Sequence, residues 1–234
     1  VIWYQLTFTD VPLYCAAAVI SFAGDALICV FPSISGGDQE DDMRQVCMRA
    51  VECAVVLKDQ YTAELSAHIG VTCGMFRFAT LGGYHNQWVY LLNGHCLGVE
   101  MASCVEDAGP REAVVSGAVY RQIQRCPELS AHAVGVGSHG NFLIADVAMS
   151  GQNGHVFNRY AGLPTNREVD EMVKLFVPKP VKDAIVAGTF KVMSELREVT
   201  TMFLKLMSYD PECHRNPLTL QPFFYMAQKA IADH

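Results

Sequence analysis

Several absences narrow this chain before any motif is read. No apolar run approaches the ~18 uninterrupted residues of a membrane span, and the first thirty residues hold no basic stretch ahead of an apolar one. The chain therefore reads as soluble and without an address. No Lys/Arg run stands out either. Seventeen basic residues face 24 acidic ones, giving a net charge of −7 and a pI near 5.6, which argues against a nucleic-acid surface. A phosphorylated ligand would need local cations or a metal. Nine cysteines are scattered at 15, 29, 47, 53, 73, 96, 104, 126 and 213 without one C-x-x-C pair. That odd, unpaired set excludes a disulfide frame and a zinc knuckle and fits reduced, buried thiols of a cytosolic, cytoplasmic protein. The chain begins with Val instead of Met and reads as a fragment.

What is there is ample core. Half of the 234 residues are hydrophobic, enough for one large domain or up to two small ones. The most informative stretch is residues 19–31, VISFAGDALICVF. Two apolar runs flank Phe22-Ala23-Gly24-Asp25, so Asp25 sits on a tight hairpin between segments that must be buried. A carboxylate held there is costly unless it is paired or bound to a cation, which suggests a metal ligand. Gly-Asp sequences also favour turns through local hydrogen bonds, and on pattern alone both readings stand.

Residues 1–18 show neither alternation nor a helical stripe and are left unassigned. Pro32–Gly37 reads as a loop. Acids at 38–42 then favour a helix N-terminus, and the helix runs to about Asp59 with Met43, Val46, Cys47, Ala50, Ala54 and Leu57 on one face. Strands are expected at 65–72, 75–81, 88–92 and 112–116, with helices at 96–107 and 118–126. His68, His85 and His95 lie on different elements at no ligand spacing and read as satisfied or solvated side chains. The order predicts the α+β class: an antiparallel sheet with helices on one face. From Pro127 to about 168 the chain is Gly-, His- and Asn-rich, read as an edge strand at 141–149 plus a linker. Beyond it, 169–175 and 178–187 have helical patterning, 196–206 alternates toward a strand, and 220–231 is an amphipathic helix.

VISFAGDALICVF closely resembles the Phe-Ala-Gly-Asp-Ala-Leu hairpin of class III nucleotidyl cyclases, in particular the first catalytic domain of the soluble, bicarbonate-responsive adenylyl cyclases. AHIGVTCGMFRFATLGG is similar to that family's Ile-Gly-Val/Leu-x-x-Gly hairpin, VYLLNGHCLGVEMAS to its Val-x-Gly-x-x-Val segment, and AVVSGAVYRQI to its Val-Val-Leu-Ser-x-x-Val-Trp closing unit. FVPKPVKDAIVAG and ELREVTTMFLKL resemble the opening of the second cyclase domain. The resemblance implies a ferredoxin-like cyclase domain over 19–126 lacking its first strand, an edge strand and linker over 127–168, and the start of a second copy over 169–234. It implies an adenylate cyclase, converting ATP to cyclic AMP and pyrophosphate by two-metal-ion catalysis. Asp25 would hold Mg²⁺ or Mn²⁺; Phe22, Ala23 and Gly24 would line the nucleotide; the partners would be ATP and the second cyclase domain of the same chain, with no nucleic acid and no membrane span.

The same resemblance marks departures. The second metal aspartate would lie before Val1, and the transition-state Asn and Arg beyond His234, so the fragment itself is expected to be inactive. Lys205 stands where a metal aspartate would be in the second domain, and Gly98 where the other domain type has the Asn. Ser21 and Met101 occupy the positions that hold bicarbonate through a Lys and an Arg, and neither offers positive charge. The alternative is a pseudocyclase that binds nucleotide or a partner domain without turnover.

Overall fold

A computed structural model describes residues 17–23, 26–32, 39–59, 66–94, 96–125, 129–149, 171, 174–188, 202, 204–207, 209 and 216–233. Contacts divide the chain into two units, one drawn from Val1–Met75 and Cys96–Leu163, the other from Phe76–His95 and Pro164–His234.

In the first unit, β1 (Ala18–Ala23) and β2 (Ala26–Val30) form an antiparallel hairpin. The helix α1 (Gln39–Lys58) follows, with Glu40, Asp41 and Asp42 in its first turn and Lys58 in its last, charges that suit the helix dipole at both ends. Arg44 pairs with Asp41 one turn earlier at 3.1 Å. A four-stranded sheet is then built in the order β3 (Ile69–Val71), β6 (Ala113–Val115), β8 (Asn141–Met149), β7 (Leu129–Val136). β3 runs parallel to β6, and the remaining neighbours are antiparallel.

The residues of β6 show where the core sits. Ala113 and Val115 join Cys47, Ala50, Val51 and Ala54 of α1 and Val119 and Ile123 of α3 (Gly117–Ile123) on one face. Val114, between them, points to the other face and joins Cys104 of α2 (Met101–Asp107) and Ala108. All three β6 residues are fully buried. Alternation along a strand means that both faces of this sheet are covered. The expected arrangement, an antiparallel sheet with helices on one face, is corrected here: the sheet is mixed, helices lie on both faces, and the fold is mixed α/β. The stretch 141–149, expected at an edge, is an inner strand; β7 forms the edge.

Ser116 connects β6 to α3. Its extended backbone ends the strand, its N–H donates to Val71 O at 2.9 Å, and its hydroxyl accepts from Val119 N as an N-cap. Tyr120 stacks on Phe142 at 3.9 Å between ring centroids, fastening α3 to β8.

The second unit contains the hairpin β4 (Arg77–Gly82) and β5 (Trp88–Asn93), the helix α4 (Lys179–Val186), and α5 (Gln221–Asp233) entered through a 3₁₀ turn at Pro217–Leu220. This hairpin, which the sequence reading put with 19–126, shares its core with the C-terminal segment: Ala79, Leu81 and Leu220 are buried, with Leu91, Leu206, Tyr209 and Phe224 packed around them. Of the stretch 196–206 expected as a strand, the described residues Met202 and Leu204–Leu206 have no regular secondary structure, and the rest lies outside the described residues.

Two glutamines of α5, seven residues apart and so two turns along one face, hold the hairpin. Gln221 accepts from Gly82 N at 2.9 Å and donates to Gly82 O at 2.7 Å. Gln228 accepts from Tyr84 N at 3.2 Å and donates to Gln87 O at 3.1 Å. These amides satisfy the Gly82 N–H and C=O and the Tyr84 N–H, left over by a turn whose chain passes through positive φ at Gly82 and Gly83, and give Gln87 O, which already accepts from Gly83 N at 2.7 Å, a second donor. Replacing either glutamine by Ala is expected to cost about 1–3 kcal/mol by leaving those groups unpaired. Urea unfolding of the variants, with hydrogen exchange at the Gly82 and Tyr84 amides, measures it; unchanged stability and exchange count against the clamp.

Candidate functional site

The site expected from the sequence is the β1–β2 hairpin, and its register shows how it closes. Ala18 pairs with Val30 and Val19 with Cys29, but beyond Ile20 the partners shift, so that Ser21 faces Ile28, Phe22 faces Leu27 and Ala23 faces Ala26. Ile20 is the extra residue of a β-bulge, which bends and twists the strand that carries it. The shift brings Ala23 opposite Ala26, with the two residues Gly24 and Asp25 as the link. Phe22 and Ala23 are the last residues of β1. Gly24 and Asp25, the predicted nucleotide contact and metal ligand, lie outside the described residues. In β2, burial pushes the half-buried Cys29 thiol up to about 11, which disfavours its thiolate.

The other expected positions are spread along the first unit. Met101 opens α2 and is half-buried. Gly98 lies in the π-turn Cys96–Glu100 just before it, is exposed, and a Cβ there would meet nothing within 4 Å. Lys205, in the second unit, is exposed. His68 is exposed with Nδ1 3.2 Å from Ala108 O, His85 is exposed in a left-handed conformation, and His95 lies outside the described residues. Among the described residues no group of three or more His, Cys, Asp or Glu side chains is placed to hold a metal ion. The described donors by themselves make no metal centre, and Asp25 is not among them.

The glycines of the Ile69-Gly70-Val71-x-x-Gly74 stretch have a clear packing role. A Cβ at Gly70 would stand 2.8 Å from Val105 Cγ2 and 3.0 Å from Val105 N, so β3 can lie against α2 only without a side chain there. At Gly74 a Cβ would stand 2.7 Å from Cys96 Sγ. Next to them Thr72 Oγ1 donates to Glu100 Oε2 at 2.9 Å, joining the end of β3 to the π-turn. Nothing local between the strands expected at 65–72 and 75–81 signals these contacts, which cross 22 to 35 positions.

No protein-family model and no curated protein matches the chain. Among solved structures it is similar to the guanylate cyclase domain of RhGC from Catenaria anguillulae in complex with GTP, with a TM-score of 0.44, 16% identity, and coverage of 61% of this chain and 79% of that one. It is similar to the dimeric guanylyl cyclase domain of RhoGC from Blastocladiella emersonii, with a TM-score of 0.46, 15% identity, and coverage of 62% and 80%. The adenylyl cyclase CyaB from P. aeruginosa stands at a TM-score of 0.44 and 17% identity, covering 61% and 79%. At such scores the likeness assigns no residue of this chain a role. No helix among the described residues is long and apolar enough to cross a membrane.

Two glycine substitutions separate packing from permissiveness. Gly70→Ala is expected to destabilise the chain by about 1–3 kcal/mol, because the obstruction includes backbone. Gly98→Ala is expected to be neutral or stabilising by up to about 1 kcal/mol, since the added methyl meets open space in a helical turn. Denaturant midpoints of the two variants give the comparison, and equal effects at both positions count against this packing.

Proposed function

We propose that this chain is part of a nucleotidyl cyclase of the class III, soluble adenylyl type, with Asp25 as a metal ligand and Phe22, Ala23 and Gly24 beside the nucleotide. The observation that carries the reading is the coincidence of the Phe-Ala-Gly-Asp-Ala-Leu sequence with a bulged hairpin that closes across Ala23 and Ala26. The reaction is attack of the ribose 3′-hydroxyl of ATP on the α-phosphorus, with pyrophosphate leaving and cyclic AMP formed. Mg²⁺ or Mn²⁺, when bound, supplies positive charge that acidifies the hydroxyl and neutralises the phosphates. This chain's own part would be to hold that charge at Asp25, in the sequence between β1 and β2. The second cyclase domain, read over 169–234 with Lys205 at a metal-aspartate position, is proposed as the partner that carries no metal ligand.

Asp25→Asn removes charge at nearly constant volume. It is expected to weaken Mn²⁺–ATP binding at least about tenfold with unchanged circular dichroism, and in the parent protein to abolish cyclic AMP formation. Binding is read by Mn²⁺ paramagnetic resonance on the purified chain; equal affinities in both forms would falsify the ligand assignment. Mn²⁺–ATP binding without any turnover in the parent protein would leave a nucleotide-binding module in place of an enzyme.

Bicarbonate is expected to leave the parent's activity unchanged at fixed pH, because Ser21 and Met101 offer no cation to an anion. A saturable rise in cyclic AMP formation with bicarbonate overturns this.

A further inference from the structure

Six described cysteines are free, and their surroundings differ sharply. Cys47, Cys53, Cys96 and Cys104 are buried, while Cys29 and Cys73 are half-buried. Cys73 follows β3, packs on the apolar cluster that contains Cys47, and its thiol is hydrogen-bonded to the Cys47 thiol in the middle of α1. A disulfide needs two sulfurs brought to bonding distance from facing Cβ atoms, and this pair is within hydrogen-bond reach, one thiol on α1 and the other two residues past the end of β3. Cys96 lies against Gly74, whose missing Cβ makes room for its sulfur.

Reactivity follows the same division. Burial pushes Cys104 up to about 12 and Cys29 up to about 11, and raises Cys96. Cys73 is held below its ordinary value, first by the hydrogen bond from Cys47 and further by the Arg121 guanidinium, against burial and the Glu100 carboxylate. The thiolate is the reacting form, so an accessible thiol with a lowered pKa is the one oxidised first.

We propose that Cys73 is a peroxide-sensitive thiol and Cys47 its resolving partner, the two forming a reversible disulfide that ties α1 to the end of β3. The Cys73 thiolate attacks one oxygen of hydrogen peroxide: the S–O bond forms, the O–O bond breaks, and the released hydroxide takes up the proton lost by Cys73 to leave as water. The Cys47 sulfur then attacks the resulting sulfenic acid; the S–S bond forms, the S–O bond breaks, and the hydroxide leaves as a second water with the Cys47 proton. Two thiols are oxidised and one peroxide is reduced to two waters. A dithiol reductant reverses the bond by exchange. Nothing in this depends on the cyclase reading.

The sequence makes the test direct, because trypsin separates Cys47 on residues 45–49, Cys53 on 50–58 and Cys73 on 59–77. The full chain is treated with hydrogen peroxide near neutral pH, blocked with N-ethylmaleimide, digested without reduction and mapped by mass spectrometry. The expected product is the 45–49/59–77 linked pair, formed about tenfold or more faster than any oxidation of Cys29 and lost with dithiothreitol. In Cys47→Ala, and equally in Cys47→Ser should the first variant fold poorly, Cys73 is expected to stop as a sulfenic acid captured by dimedone. A Cys73–Cys96 link, or oxidation of Cys73 no faster than that of Cys29, overturns the proposal.

Discussion

Three consecutive residues, Ala113-Val114-Val115, carry the constraint on which the first unit depends. β6 is hydrogen-bonded on both edges, to β3 and to β8, and packed on both faces, by α1 and α3 on one and α2 on the other. A strand in that position has no solvent-facing side, so every residue must be apolar and small enough to let two helical layers approach. Burying a valine contributes about 1.5–3 kcal/mol relative to exposure, but the larger effect is geometric. Because the strand is closed on all sides, the elements around it are fixed relative to one another through it. The β3 glycine stands against α2 for the same reason: the parallel pair brings Gly70 level with Val114, beneath the helix that covers both.

The two units solve the covering problem by different chemistry. In the first, apolar side chains from three helices close the sheet. In the second, the β4–β5 hairpin has a small core around Leu81 and Leu220, and side-chain amides complete the backbone hydrogen bonding at its tip. Tyr84 extends this polar fastening, its hydroxyl donating to Asp233 at 2.8 Å, which holds the phenol above its usual pKa, while its ring meets Tyr225 edge-on.

The sequence carried local structure well and long-range pairing poorly. The stripe through Cys47, Ala50 and Ala54 is readable because helical period places those residues together, and all three are buried; Val51 and Cys53, off that stripe, are buried too because α1 meets more than one neighbour. The hairpin around Phe22 is readable because two apolar runs flank a Gly-Asp pair, whereas the bulge at Ile20 leaves no trace in composition. The Asn141–Met149 strand looked peripheral since it follows a Gly- and His-rich stretch, and nothing local says that it pairs with Val114 and Val115. Helices on both faces were missed for a related reason. A three-residue apolar run reads the same whether one side or both are covered. For the candidate site, the proposal of Asp25 comes from the sequence around it alone, while the thiol pair has no such signal: Cys47 and Cys73 lie on separate elements with no spacing rule to join them.

The inner place of β8 has a consequence for synthesis. As the chain leaves the ribosome, β3 and β6 can meet as soon as residue 115 is out, but the outer edge of β6 then has no partner until the strand beginning at Asn141 has followed it. At typical elongation speeds of about 5–20 residues per second, a buried strand with one bare edge persists for about a second or more, a window in which another nascent copy could zip onto it. The hairpin order β7 then β8 sets how that window closes. The sealing strand emerges with its own outer neighbour already ahead of it, so β8 can arrive paired on one side and occupy the vacancy as half of a ribbon.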